Sequence, residues 1–184
     1  MTLTQRVATV AGTALAYFLL FELNAFLFSY LEFSAGVSWV FMPSGLRLAF
    51  ILVFGLWGAL GIVMASIVLS AVHHFQGLML IAVGAGLISG LSPLLARRMC
   101  IDFLKLRVDL AGLTAASLLQ VALVFALVSA SMHQIWFKLQ GLTENFLEGV
   151  FVMAVGDLLG TILVLYAAKF VFRALPSLSR GSDS

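Results

Sequence analysis

The sequence predicts an all-α integral membrane protein of about six transmembrane helices, the second and third folded as a tight hairpin. Three observations carry this. The 184 residues are 62% hydrophobic and only 10% charged. Mean hydropathy is +1.14. Apolar runs near the roughly 20 residues that a helix needs to cross hydrocarbon recur along the chain. A soluble domain carries about 25% charged residues and interrupts its apolar runs with polar faces.

The first run, Val7 to Tyr30, follows a basic start in "MTLTQRVATVAGTALAYFLLF". It outlasts the roughly 7 to 15 apolar residues of a signal peptide and is read as an uncleaved first helix. Pro43 to Phe75 as one helix would be about 50 Å long at about 1.5 Å per residue, too long for an ordinary span. Its centre, "FGLWGALG", supplies Gly55, Gly58 and Gly61, which suit a turn between two short spans. Leu78 to Leu95, Leu110 to Met132 and Leu147 to Val171 complete the set. Residues 1–175 form one transmembrane domain, and 176–184, rich in serine, read as a disordered cytoplasmic tail.

The charges choose the topology. With six spans, Arg6, Arg97, Arg98, Lys105, Arg107, Arg173 and Arg180 share one side and Lys138 faces the other. Five spans would throw Arg6 across. The excess of basic residues marks the cytoplasmic side, so both termini are expected there. In a chain this apolar, a net charge of +2 is a topology signal and not a nucleic-acid footprint. The single cysteine, Cys100, cannot form an internal disulfide. It sits in "RRMCIDFLKLR", expected to be a cytoplasmic loop, and reads as a free, reduced thiol.

Arg47 stands a turn inside the second helix, whose first turn Pro43 can occupy because its missing N–H would have had no helical partner. It either snorkels to the headgroups or meets a buried carboxylate. Glu22 on the first helix and Asp157 on the last are each roughly 12 to 15 Å deep, within reach of an arginine descending from the same side. An unpaired charge at that depth costs several kcal/mol. Glu22, Asn24, Arg47 and Asp157 are therefore the candidate intramembrane polar cluster. Fully ionised, its three charges sum to −1, leaving one carboxylate for a proton or a cation.

Gly86 with Gly90, and Gly156 with Gly160, have the spacing that lets helices approach closely. His73, His74 and His133 are placed at outer helix ends, as are Glu32, Glu144 and Glu148. Adjacent helical histidines point about 100° apart, so no metal site is assigned. Trp39, Trp57, Trp136 and the three tyrosines read as interface anchors. There is no nucleophile elbow, metalloprotease motif or phosphate loop, so neither an enzyme nor a cofactor is expected.

"FMPSGLRLAFILVFGLWGALGI" resembles the signature of the bacterial membrane-associated sensor domain of the first class (MASE class), on Phe41, Pro43, Ser44 and Gly45. "VGDLLGTILVLYA" resembles its second signature, on Gly156, Asp157 and Gly160. The family's usual tryptophan and second proline are replaced by Phe41 and Met42, and its usual domain is longer and fused to a kinase or cyclic-di-GMP enzyme. The resemblance implies a short stand-alone sensory or docking module in a bacterial inner membrane, acting on a separate partner protein. The alternative is a small-solute carrier, similar to the substrate-binding membrane subunits of energy-coupling-factor transporters. A carrier needs a pocket lined by aromatic and polar groups, and a sensor needs a signalling partner.

Overall fold

A computed structural model describes residues 1–103 and 114–174, with side chains described as far as Phe170. Lys105, Arg107, Arg180, the start of the expected span at Leu110 and the expected tail lie outside the described residues. The architecture is a bundle of α1 (Leu3–Phe28), α2 (Pro43–Phe54), α3 (Leu56–Leu69), α4 (Met79–Phe103), α5 (Ala115–Leu139) and α6 (Phe146–Ala174). A small antiparallel pair, β1 (Glu32–Ser34) with β2 (Val37–Ser38), lies between α1 and α2. Among the described residues five segments are long and apolar enough to cross a membrane, α3 reaching that length with the π turn Ser70–His74 that continues it.

The hairpin turns at the first of the three predicted glycines. Gly55 has φ of 56°, a conformation that costs an L side chain energy and glycine almost nothing. The chain folds back there so sharply that a Cβ on Gly58 would meet the Phe50 carbonyl. Gly61 serves a different contact, lying against Val10 and Thr13 of α1. Neighbouring contacts then alternate the helix directions. Gly86 and Gly90 of α4 receive Ile67, Val63 and Ala59 of α3, and Gly84 receives Trp136 of α5. Leu3 of α1 and the end of α6 consequently lie at the same end of the bundle.

α2 has 12 residues. At about 1.5 Å each they span about 18 Å, well short of about 30 Å of hydrocarbon. The missing length is filled by residues 37–42, an irregular strap that lies against α6. Polar backbone at that depth survives only where protein satisfies it. The Phe41 N–H donates to the Gly156 carbonyl at 3.1 Å, and the Met42 N–H donates to Asn24 Oδ1 at 2.9 Å. Gly156 and Gly160 make room for this, since a Cβ on either would collide with the Ser38 or Phe41 carbonyl.

The basic segment around Cys100 corrects one expectation. As far as Phe103 it belongs to α4 and is not a loop, and Cys100 is buried with Leu48, Ala96, Val121 and Phe125. The helix continues because its charges pair along its own surface, as Arg98 does with Asp102 at 2.8 Å.

Candidate functional site: a buried polar hub on Arg47

Arg47 is 1% exposed, so it does not snorkel. α2 carries it into the centre of the bundle, where three helices meet its guanidinium. Nε donates to the Ser89 carbonyl at 3.1 Å. Nη2 donates to Ser92 Oγ at 3.1 Å and to Ser129 Oγ at 2.7 Å. Nη1 faces Asp157 Oδ1 at 3.8 Å, and the Phe125 ring lies under the guanidinium carbon at 5.2 Å. The apolar ring and the hydroxyls replace the water that this cation gave up.

The Ser89 carbonyl is available because of Pro93. A proline inside a helix has no N–H for the carbonyl four residues earlier, and four residues before Pro93 is Ser89. Arg47 therefore takes the acceptor that Pro93 leaves open within α4. Ser92 and Ser89, three apart on one face of α4, complete that side of the site.

His133 extends the hub. Its Nδ1 donates to the Ser129 carbonyl at 2.9 Å, since a carbonyl can only accept. Nε2 and the Ser89 hydroxyl share a hydrogen bond at 3.3 Å. Tyr17 of α1 lies beside Ser89 and beside Ser66 of α3, so all six helices contribute a polar group here.

Asp157 is 1% exposed, and neither carboxylate oxygen makes a hydrogen bond among the described residues. Arg47 and the Ser129 hydroxyl are its polar neighbours. Its backbone is well held: the Asp157 carbonyl accepts from Ser44 Oγ and Thr161 Oγ1, both at 2.7 Å. Gly45 lies against Val164 and Thr161. The two sequence patches around Pro43–Ser44–Gly45 and Gly156–Asp157–Gly160 thus form one packed unit, the strap and start of α2 against α6.

Of the expected cluster, Arg47 and Asp157 meet and Asn24 serves the strap. Glu22 goes elsewhere, binding His73 Nε2 at 3.0 Å. His74 Nδ1 pairs with Glu32 at 3.3 Å. These two pairs tie the π turn to α1 and to the small hairpin. Among the described residues no group of three or more histidine, cysteine, aspartate or glutamate side chains is arranged to hold a metal. Ser89, Ser92 and Ser129 were not singled out from the sequence, and His133 was expected at an outer helix end. Ending the fifth span at Met132 put His133 at a surface, whereas α5 runs on to Leu139. The readable signal was Ser129 and His133 at i, i+4, opposite a proline-containing helix with Ser89 and Ser92.

A cavity of about 240 Å³ lies above the hub, its lining including Tyr17, Phe21, Arg47, Ser89, His133 and Phe137, with His73, His74 and Glu32 also on its wall. No protein-family model, curated protein or solved structure matches the chain.

Proposed function

We propose that the chain is an integral membrane sensory module that passes a signal to a separate partner protein, in the manner of the membrane-associated sensor domains its two sequence patches resemble. The observation that supports this is the Arg47 hub. One side chain on a short helix bonds to α4 and α5 and faces Asp157 of α6, whose carboxylate oxygens make no hydrogen bond among the described residues. A change at Asp157 or in the cavity would redistribute hydrogen bonds among several helices at once. Packed helices with discrete arrangements are what carries coupling between sites. The module belongs, on this reading, to a bacterial inner membrane with both ends of the bundle's chain at the cytoplasmic face, where Arg6, Arg97 and Arg98 lie.

The test uses the exposed Arg98. A photo-crosslinking residue in its place should trap a partner in native membranes. That partner is then reconstituted with this chain in liposomes and its activity compared between wild type and Ser129→Ala. A several-fold difference supports the sensory reading. Identical activity, or adducts only between copies of this chain, refutes it.

A solute carrier is the second reading, favoured by the aromatic and polar lining of the cavity. Accumulation of a bound solute inside protein-containing liposomes would choose it.

A further inference from the structure

The cavity has a shape and a charge balance that narrow its ligand. About 150 Å³ of apolar cavity is enough to bind benzene, so 240 Å³ accepts one ring with a short polar arm. Its walls are rings from separate elements. Phe21 stands edge-on to Phe41 of the strap at 6.1 Å, and Phe75 packs with Phe137 at 5.5 Å. Offset and edge-to-face packing of this kind favours a flat aromatic guest.

One group of polar side chains lies at the hub. Arg47, Tyr17, Ser66, Ser89 and His133 all reach the lining. Arg47 faces Asp157 at 3.8 Å, and with that carboxylate ionised the pair is neutral as a unit. An anion added there would leave one negative charge in excess, and a cation would face the guanidinium. Both are costly at this depth. A neutral acceptor such as a carbonyl oxygen can take an N–H or hydroxyl donor from the hub without adding charge. His73 and His74, paired with Glu22 and Glu32, also line the cavity, as does Glu32 itself.

We propose that this cavity binds a small neutral aromatic molecule bearing a carbonyl or amide group, ring against Phe21 and Phe137 and oxygen toward Arg47. The proposal deepens the sensory reading by naming the class of molecule that would be sensed.

The test is ligand-observed NMR with the purified full chain in nanodiscs, using benzamide as the probe and empty nanodiscs to subtract partition into lipid. Benzoate and benzylammonium are the charged counterparts. Benzamide should bind saturably, and at least tenfold more tightly than either ion. Ala85→Leu, which fills the cavity, and Ser29→Trp, which obstructs its rim, should each weaken it at least tenfold. Using two variants guards against a misfolded one. Non-saturable benzamide binding, or binding unchanged in a folded variant, overturns the site. Equal binding of benzoate or benzylammonium overturns the ligand class. If benzamide binds as expected but leaves the partner's activity unchanged, the sensory reading fails and the site stands.

Discussion

Pro93 and Arg47 complement each other across the α2–α4 contact: the proline leaves the Ser89 carbonyl without its helical N–H, and Arg47 Nε donates to it at 3.1 Å. A residue that weakens one helix thereby creates the acceptor that a buried cation requires. Pro93→Ala should supply a competing N–H to that carbonyl. The substitution should then be more favourable to stability in an Arg47→Leu background than in wild type, by about 1 to 2 kcal/mol. Thermal unfolding of the four proteins in detergent checks this, and equal effects in both backgrounds would mean that the Ser89 contact contributes nothing.

The strap makes a prediction about glycine. Gly160 lies under the Phe41 carbonyl, whereas among the described residues nothing stands within 4 Å of a Cβ built on Gly12 of α1. Gly160→Ala should cost about 1 to 3 kcal/mol, as overpacking against a fixed backbone does. Gly12→Ala should cost nothing and gain up to about 1 kcal/mol of helix propensity. The comparison of their unfolding temperatures separates a backbone collision from a general effect of glycine on membrane helices.

Glu22 is expected to be energetically independent of Arg47. Its partner is His73, and both are partly exposed, so that pair contributes no more than about 1 kcal/mol. Glu22→Gln and Arg47→Leu should add within about 0.5 kcal/mol. Coupling beyond that would return Glu22 to the central cluster.

The helical membrane architecture and the turn at Gly55 were legible because composition and glycine placement act locally. Arg47 and Asp157 were legible as a pair because two intramembrane charges at similar depth have few alternatives. Glu22 was misplaced for a directional reason: helix depth says nothing about which way a side chain faces, and Glu22 turns toward the π turn. The hub serines went unseen because small polar residues are common in membrane helices, and their meaning appears only once Arg47 is set against them; His133 was misplaced because α5 runs on past the apolar run to Leu139. Cys100 was read as a loop residue from its charged neighbours, although paired charges can extend a helix past the apolar run.

That correction changes how topology should be tested. Cys100 is 2% exposed, so thiol reagents should react slowly from either side until the protein is unfolded. In a Cys100→Ala background, Leu3→Cys and Leu142→Cys lie at opposite ends of the bundle and are both exposed. Impermeant reagent added to intact cells should label position 142 and spare position 3. Labelling of both from one side contradicts the even number of crossings, and labelling of position 3 alone reverses the orientation.

The central claim is that Arg47 is a buried hub facing Asp157, and a double-mutant cycle crossing Arg47→Leu with Asp157→Asn tests it most directly. Arg47→Leu alone strands a buried carboxylate and should cost about 3 to 5 kcal/mol. Asp157→Asn should recover at least about 1 kcal/mol of that loss, because a neutral amide needs no counter-charge. Arg47→Lys should rescue only in part, since an ammonium cannot reach Ser89, Ser92 and Ser129 together from one position. Thermal unfolding in detergent showing that coupling is the result this account predicts. Additivity of the two substitutions within about 0.5 kcal/mol, with lysine as good as arginine, would contradict it.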